Sequence, residues 1–233
     1  MWRKILCGAA LAAVMVTAVA AEEKSGPGEA TWDGLQRVKS KKLDDAYLLA
    51  GADFRVYSKI VLDPVEVSFR KNWERDINRS TRSASRRVTA EDADRARKAM
   101  SEGFYEILAK EFEKSGYQVV TAPGPDVLRL KPMLVDVYIN APDTMEPGRS
   151  YTFTIEAGEA TLALEVRDSE TNQLLGRAVD SRGTGESNRM TWTTSVTNRM
   201  EFERLFRIWA SNLAGGMAAL KAASPIQAKA PKK

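Results

Sequence analysis

Apolar residues recur with a helical spacing in two long stretches of the chain. From Thr89 they repeat every three or four positions, which predicts a helix capped by Thr89 with Asp92 at the capping-box position. Gly116 suits the left-handed conformation that ends many helices. A second helix is predicted after Asn198, and its apolar face comprises Phe202, Leu205, Phe206, Trp209, Leu213, Met217 and Leu220.

Strand-like alternation of apolar and polar residues occurs around these helices. Residues 57–69 are rich in β-branched and aromatic side chains, which predicts a strand. Pro64 interrupts it with a bulge or a bend, because proline has no N–H for a ladder hydrogen bond. Short strands are also predicted over 118–121 and 174–180, the latter following a polar turn.

Two longer alternating stretches change phase in their interior. The first covers residues 128–139 and shifts at Lys131-Pro132, while the second covers 151–166 and shifts at Gly158. A strand cannot change face without an extra residue, so the first shift predicts a β-bulge. The second shift predicts either a bulge or a tight turn.

Two regions show no clear period. Residues 32–52 are predicted to be irregular and contain the basic run Lys39-Ser40-Lys41-Lys42, and residues 183–196 are predicted to form a long polar loop. The order of the remaining elements is strand, helix, several strands and helix. This order predicts an α+β fold: a single mixed or mostly antiparallel sheet with two main helices packed on one face.

The N-terminus has the three parts of a secretory signal peptide. Arg3 and Lys4 precede an apolar stretch of about 15 residues, and small residues at 18–21 suit a signal peptidase. The apolar stretch is short for a membrane span, which disfavours the alternative of an uncleaved anchor. We expect a signal peptide over 1–21 and a periplasmic mature chain.

The mature chain is predicted to consist of one domain with flexible ends. Residues 22–31 are typical of a flexible leader, 32–222 are predicted to form the domain, and 223–233 are predicted to be a disordered basic tail. Hydrophobic residues make up 43% and charged residues 28% of the sequence, as in ordinary globular proteins. Removing the signal leaves 33 basic against 31 acidic residues, so we expect no nucleic-acid partner.

The residue inventory argues against several kinds of chemistry. The chain has no histidine, and its single cysteine, Cys7, lies within the signal peptide. Zinc and iron–sulfur sites and histidine-based catalysis therefore lack their usual ligands and bases. Cys7 precedes the apolar core, which is a poor position for lipidation. We predict no cofactor and no metal site, and we expect a protein that is not an enzyme.

Carboxylates are the remaining candidates for catalysis. Asp63 and Glu66 flank a proline, and Asp136 interrupts an apolar strand. Two carboxylates facing each other at about 5 to 9 Å would suit glycoside hydrolysis. The stronger interpretation is that Asp63 shapes a bend and Asp136 faces solvent.

Two features are candidates for interaction. The arginine cluster Arg79, Arg82, Arg86 and Arg87 would suit an anionic lipid surface or an acidic partner. The alternative is a solvated loop neutralised by nearby acids. Trp192 would anchor an interface if exposed, or fold back onto the sheet if buried.

Three segments resemble an uncharacterised bacterial envelope family, the domain of unknown function 3313. They are Asp53–Val67, Pro123–Leu130 and Val166–Leu175, and the likeness extends over about residues 31–222 in the same element order. Members of that family are mostly described as lipoproteins of Gram-negative bacteria. The resemblance implies an envelope protein, whereas the position of Cys7 favours a member that is not lipidated.

Together these observations predict a periplasmic, non-enzymatic binding or assembly module of the cell envelope. Its partner is expected to be another envelope protein or the membrane surface, and no oligomeric state is indicated. Two alternatives stay open. One is a carboxylate-based hydrolase acting on an envelope substrate, and the other is a carrier of a small apolar ligand.

Overall fold

The computed structural model describes residues 31–80, 87–140, 152–154, 158–184, 191–193 and 195–228. Within them, ten strands and three α-helices are found, together with a short 3-10 helix at Phe54–Val56. The strands are β1 (Leu35–Val38), β2 (Asp45–Leu49), β3 (Lys59–Leu62), β4 (Glu66–Phe69), β5 (Gln118–Val120), β6 (Val127–Ile139), β7 (Thr152–Thr154), β8 (Gly158–Asp168), β9 (Leu174–Thr184) and β10 (Thr191–Thr193). The helices are α1 (Trp73–Ser80), α2 (Ala90–Lys114) and α3 (Ser195–Ala223).

Eight of the described strands form one mixed sheet. Its order is β1-β2-β9-β8-β6-β3-β5, and β4 also pairs with β6. The pairs of β3 with β5 and β6 are parallel, and the rest of the main path is antiparallel. Strands β7 and β10 form a separate two-stranded ladder. The predicted α+β class is confirmed.

The core lies between this sheet and the two long helices. Phe104 and Phe112 of α2 and Trp209 of α3 are fully buried. The rings of Phe104 and Phe206 lie 4.8 Å apart, and those of Phe104 and Trp209 lie 6.0 Å apart. These contacts join the helices to each other over the sheet. None of the helices in the described part of the chain is both long and apolar enough to cross a membrane.

Helix α2 follows its sequence signals closely. Asp92 N–H donates to the Thr89 hydroxyl, and Thr89 N–H donates to the Asp92 carboxylate at 2.8 Å, so the predicted capping box is present. Gly116 has a φ of +88°, as expected of the residue that ends the helix. Helix α3 begins at Ser195, so Asn198 lies in the helix and the prediction of a start after Asn198 was wrong. Serine and threonine also favour the cap position, so the residue types alone did not fix where this helix begins.

The predicted interruption at Pro64 is confirmed. Residues 63–65 separate β3 from β4, and both strands run parallel to β6, with Leu62 opposite Leu130 and Glu66 opposite Met133. The predicted bulge at Lys131-Pro132 was wrong, because β6 keeps its register with β8 there. The irregularity lies between Val135 and Tyr138 instead.

The cause of the misplaced bulge is the identity of the buried face of β6. Leu128, Leu130 and Leu134 are fully buried, and the next fully buried residue is Val137, three positions after Leu134. The intervening Asp136 has a φ of +51° and absorbs the extra residue. Met133 and Val135 are only partly buried, although in the sequence they form one alternating apolar series with Val137.

Residues 32–52 were predicted to be irregular, and this prediction was wrong. They contain the antiparallel pair of β1 and β2, in which Leu35 lies opposite Leu49. Strand β2 then pairs with β9, so this hairpin forms one edge of the sheet. The predicted loop over 183–196 contains β10 and the end of β9, and residues 185–190 lie outside the described residues.

The remaining predictions on chain organisation are tested only at a few positions. Gly158 begins β8, and a Cβ atom there would lie 2.1 Å from the Tyr138 carbonyl oxygen, so the close approach of β6 excludes any side chain. Residues 155–157 lie outside the described residues.

Near the C-terminus, Gly51 N–H donates to the Ile226 carbonyl, and Ile226 N–H donates to the Ala52 carbonyl. Residues 224–226 therefore pack against residues 51–54, and the predicted domain bounds stay a prediction.

Candidate functional site

The arginine cluster is only partly described. Arg79 lies in the last turn of α1 and Arg87 lies just before α2, and both side chains are exposed. Asn78 holds the two sides of this loop together, because its amide donates to the Val88 carbonyl and its oxygen accepts from Val88 N–H. Arg82 and Arg86 lie outside the described residues, so their place in a common patch stays a prediction.

Two of the three acids proposed to neutralise this cluster, which are Glu91, Asp92 and Asp94, have other partners. Asp92 pairs with Arg95, and Asp94 pairs with Arg97, both within α2. Arg79 and Arg87 make no ion pair with any residue that the structure describes. The second interaction candidate, Trp192, lies in β10 opposite Phe153, and its side chain is outside the described residues.

Two of the candidate carboxylates, Asp63 and Asp136, lie far apart, and the third, Glu66, is exposed on β4 opposite Met133. Both oxygens of Asp63 accept from Arg129 Nε, at 3.0 and 2.9 Å, and Asp63 N–H donates to the Leu130 carbonyl. Asp136 lies further along β6, six residues beyond Leu130. Since a strand rises about 3.3 Å per residue, roughly 20 Å of strand separates the two positions. That distance exceeds the spacing that a pair of catalytic carboxylates needs.

A pocket of about 370 Å³ lies at the other side of the domain, between the β1–β2 hairpin, β9 and the C-terminal half of α3. Its size falls within the range of small-molecule sites. The inner wall is apolar and includes Leu48, Phe54, Leu164, Val166, Leu213 and Met217.

The pocket exists because small residues line both of its walls. Ala46, Gly176 and Ala178 line it from the sheet, and Gly215, Gly216 and Ala219 line it from α3. A Cβ atom on Gly176 would lie 3.0 Å from a methyl carbon of Leu48 and 3.1 Å from the Tyr47 carbonyl oxygen, so a side chain there would force these neighbours to shift. A Cβ atom on Gly216 would meet nothing within 4 Å. A glycine inside a helix costs about 0.5 to 1 kcal/mol relative to alanine, and no packing contact explains that cost here.

The segment from Lys39 to Asp44, here called the basic loop, forms the mouth of the pocket. Its turn is organised by Ser40, whose hydroxyl accepts from the N–H groups of Lys42 and Leu43 at 3.2 and 3.0 Å. Lys39, Lys41 and Lys42 all line the pocket and are exposed. Lys42 Nζ lies 3.9 Å from the position that a Cβ atom on Gly215 would occupy, so its ammonium group bridges towards α3.

A buried carboxylate fixes the basic loop in place. Asp180 is 2% exposed and accepts from Trp209 Nε1 at 2.8 Å, from Arg182 Nε, and from Asp44 N–H at 3.1 Å. In return the Asp44 carboxylate accepts from Ser181 N–H at 2.9 Å. The Lys42 carbonyl accepts from Arg182 at 3.1 Å. The loop is therefore tied to β9 and α3 through hydrogen bonds rather than through its lysine side chains.

The charges around the mouth are unequally balanced. Arg177 lines the pocket but is paired with Asp33 at 2.6 Å, and Glu165 lies 3.7 Å away. Burial by itself would raise the pKa of Asp33, but the hydrogen bond from Thr31 and the charge of Arg177 outweigh it, so this pKa lies below its ordinary value. By contrast, the three lysines of the basic loop form no ion pair with any described residue.

Sequence reasoning noted the basic run but missed the pocket. The available signals were the lysines in a short segment and the Gly215-Gly216 pair inside an otherwise helical pattern, since a glycine there often has a packing or functional reason. Neither signal shows that the basic run and the glycine pair lie next to each other in the folded chain.

The chain belongs to the family described as Protein of unknown function (DUF3313), whose model matches residues 23–213. No curated protein matches the chain. Among solved structures, a Xanthomonas campestris protein of the family DUF330 is similar at 14% identity and a TM-score of 0.42, over 72% of this chain and 87% of that one. The PelC dodecamer from Paraburkholderia phytofirmans is similar at 10% identity and a TM-score of 0.36, over 72% and 96%. The minor lipoprotein from Acinetobacter baumannii is similar at 14% identity and a TM-score of 0.29, over 75% and 98%.

Proposed function

We propose that this protein is a non-enzymatic binding module of the cell envelope that takes a small apolar ligand into the pocket between the β1–β2 hairpin, β9 and α3. The observation that carries the proposal is the pocket itself, with about 370 Å³ of space and an apolar wall. Filling such a space with an apolar molecule is favourable by about 25 cal/mol for each Å² of apolar surface removed from water.

Two further observations support a binding role over catalysis. Among the described residues, those that line the pocket include no carboxylate. The candidate catalytic residue Asp63 forms an ion pair with Arg129, and the candidate Asp136 lies far from Asp63 along β6. The signal-peptide pattern at 1–21 supports action outside the cytoplasm, where another envelope protein or the membrane surface supplies or receives the ligand.

The test is a titration of the purified mature chain with a neutral dye, N-phenyl-1-naphthylamine, whose fluorescence rises in apolar surroundings. We expect saturable binding at one site. Ala219→Phe places a ring in the pocket, and the matched Ala218→Phe places the same ring on the adjacent exposed position of α3, which does not line it. We expect Ala219→Phe to weaken binding at least tenfold and Ala218→Phe to leave it unchanged.

Two results would overturn the proposal. One is the absence of saturable binding to the wild type. The other is an equal effect of the two substitutions, including no effect of either. Circular dichroism and thermal unfolding of both variants establish that each is folded before its affinity is compared.

A further inference from the structure

We propose that the ligand is a single-chain amphiphile with an anionic head group, and that Lys39, Lys41 and Lys42 hold this head at the pocket mouth. The inference rests on the proposed function, and it adds the chemistry of the molecule that occupies the pocket. Its basis is the contrast between an apolar interior and a mouth lined by three cationic side chains.

The lysines have no structural task that would explain their position. The basic loop is held by the Ser40 turn and by backbone groups that bond to Asp180, Asp44 and Arg182. None of the three ammonium groups forms an ion pair within the described residues. Three like charges on four consecutive residues repel one another, so this arrangement is unfavourable until an anion is bound.

The nearby acids only partly offset these charges. Asp45 forms an ion pair with Arg37 in the adjacent strand, and Asp44 accepts from Ser181 N–H but keeps its charge, so the basic loop carries three positive charges against one negative charge. Arg177, the other cation in the lining, is balanced by Asp33. The uncompensated positive charge of the site therefore lies in the basic loop.

The geometry also suits a molecule with a head and a tail. Lysine keeps its ammonium group in water while its methylene stem covers apolar surface. The ammonium of Lys42 lies beside the glycine pair of α3, where the absence of side chains leaves an opening between loop and helix. An acyl chain entering there would contact the apolar wall, and a head group outside would meet the lysines.

The experiment compares ligands that share a twelve-carbon chain and differ in the head. Dodecanoate and dodecyl phosphate carry the anion as a carboxylate or as a phosphate, dodecanol carries none, and dodecylamine carries a cation. Each displaces the neutral dye from the full mature chain, at concentrations below micelle formation. We expect at least one anion to compete at least tenfold better than dodecanol, and dodecylamine to compete worst. The better anion identifies the type of head group.

The variant test uses a triple substitution and a matched control. Lys39→Gln, Lys41→Gln and Lys42→Gln together remove the basic charge of the mouth. Lys98→Gln, Lys110→Gln and Lys114→Gln remove the same charge from exposed positions on α2. We expect the first triple variant to lose the anion preference while still binding dodecanol and the dye, and the control to keep the preference.

The outcomes separate this inference from the proposed function. If dodecanol and the anions compete equally, the anionic head is refuted. If both triple variants keep the same anion preference, the role of the three lysines is refuted, and in either case the apolar pocket stands. If neither the dye nor any twelve-carbon ligand binds, the proposed function itself fails. Affinity for the anions that falls with added salt in the wild type, but not in the mouth variant, supports the inference independently.

Discussion

The two long helices cover the sheet in different ways. Helix α2 buries Phe104, Leu108 and Phe112 completely against the sheet and α3. The C-terminal half of α3 also buries Leu213 and Met217, but small residues lie beside them and a pocket remains. The comparison shows that one core can bury large side chains under α2 and leave a pocket beside α3. Small residues line that pocket on both of its walls.

The largest expected effect comes from the packed side. Phe104→Ala removes a fully buried ring that contacts Phe206 and Trp209, so we expect the free energy of unfolding to fall by about 3 to 5 kcal/mol. Leu220→Ala, at the partly buried edge of the pocket, should cost only about 1 kcal/mol. Urea unfolding of both variants measures the difference. Equal losses would mean that the pocket side is packed as tightly as the α2 side.

The next effect concerns the hydrogen bonds that hold the basic loop. Asp180→Ala leaves the Trp209 and Arg182 donors without their acceptor, and we expect a loss of about 1 to 3 kcal/mol. Amide hydrogen exchange should also become faster at Asp44, whose N–H donates to Asp180. Asp94→Ala, at an exposed carboxylate on α2, is the control and should change stability by less than about 0.5 kcal/mol. Unchanged exchange at Asp44 would contradict the role of Asp180 as an anchor of the loop.

A smaller effect concerns Asp92 at the start of α2, whose contribution to the free energy of unfolding should depend on pH. Burial alone would raise the pKa of Asp92, but hydrogen bonds from the N–H and hydroxyl groups of Thr89 and the charge of Arg95 lower it below its ordinary value. Asp92 therefore contributes stability above the unfolded pKa of about 3.9, and this contribution is lost as pH falls through the folded value. Asp92→Ala should cost about 1 kcal/mol at pH 7, and its difference from wild type should shrink below about pH 4. A difference that is constant between pH 7 and pH 2.5 would exclude this linkage.

The smallest expected effect is a gain. Gly216→Ala and Gly103→Ala both replace a helical glycine whose added Cβ atom would meet nothing within 4 Å, so each should stabilise the free protein by about 0.5 to 1 kcal/mol. Thermal unfolding measures both. Only Gly216 lines the pocket, so dye affinity should fall for Gly216→Ala and stay unchanged for Gly103→Ala. Equal dye affinities of the two variants would show that the absence of a side chain at Gly216 is not needed for ligand binding.

Sequence alone predicted the parts of the fold that depend on neighbouring residues. Thr89, Asp92 and Gly116 act within one or two turns of α2, so their types suffice to place its ends. The bulge of β6 was misplaced because both faces of that strand carry apolar residues, and only the packed structure shows that Asp136 takes the left-handed conformation. The β1–β2 hairpin was missed because its strands are short and rely on β9, far along the chain.

The candidate site was less predictable than the fold. Its walls come from the N-terminal hairpin, the β8–β9 hairpin and the last helix, and a pattern within one segment carries no information about such a meeting. The basic run was visible, but its position at the mouth depends on the buried carboxylate of Asp180. In the sequence, Asp180 is an ordinary polar residue at the end of an alternating strand.

The pairing of β2 with β9 has a consequence for how the molecule acquires its site. Asp45 lies opposite Val179, so the first hairpin of the chain joins the sheet only after a long loop has closed, and α3 comes later still. Closing long loops costs entropy, and contacts of this kind slow folding. The pocket lies between the first and the last of the described elements, so it becomes complete only when both are docked. If the proposed function holds, binding of the dye therefore reports that both of these elements have joined the sheet.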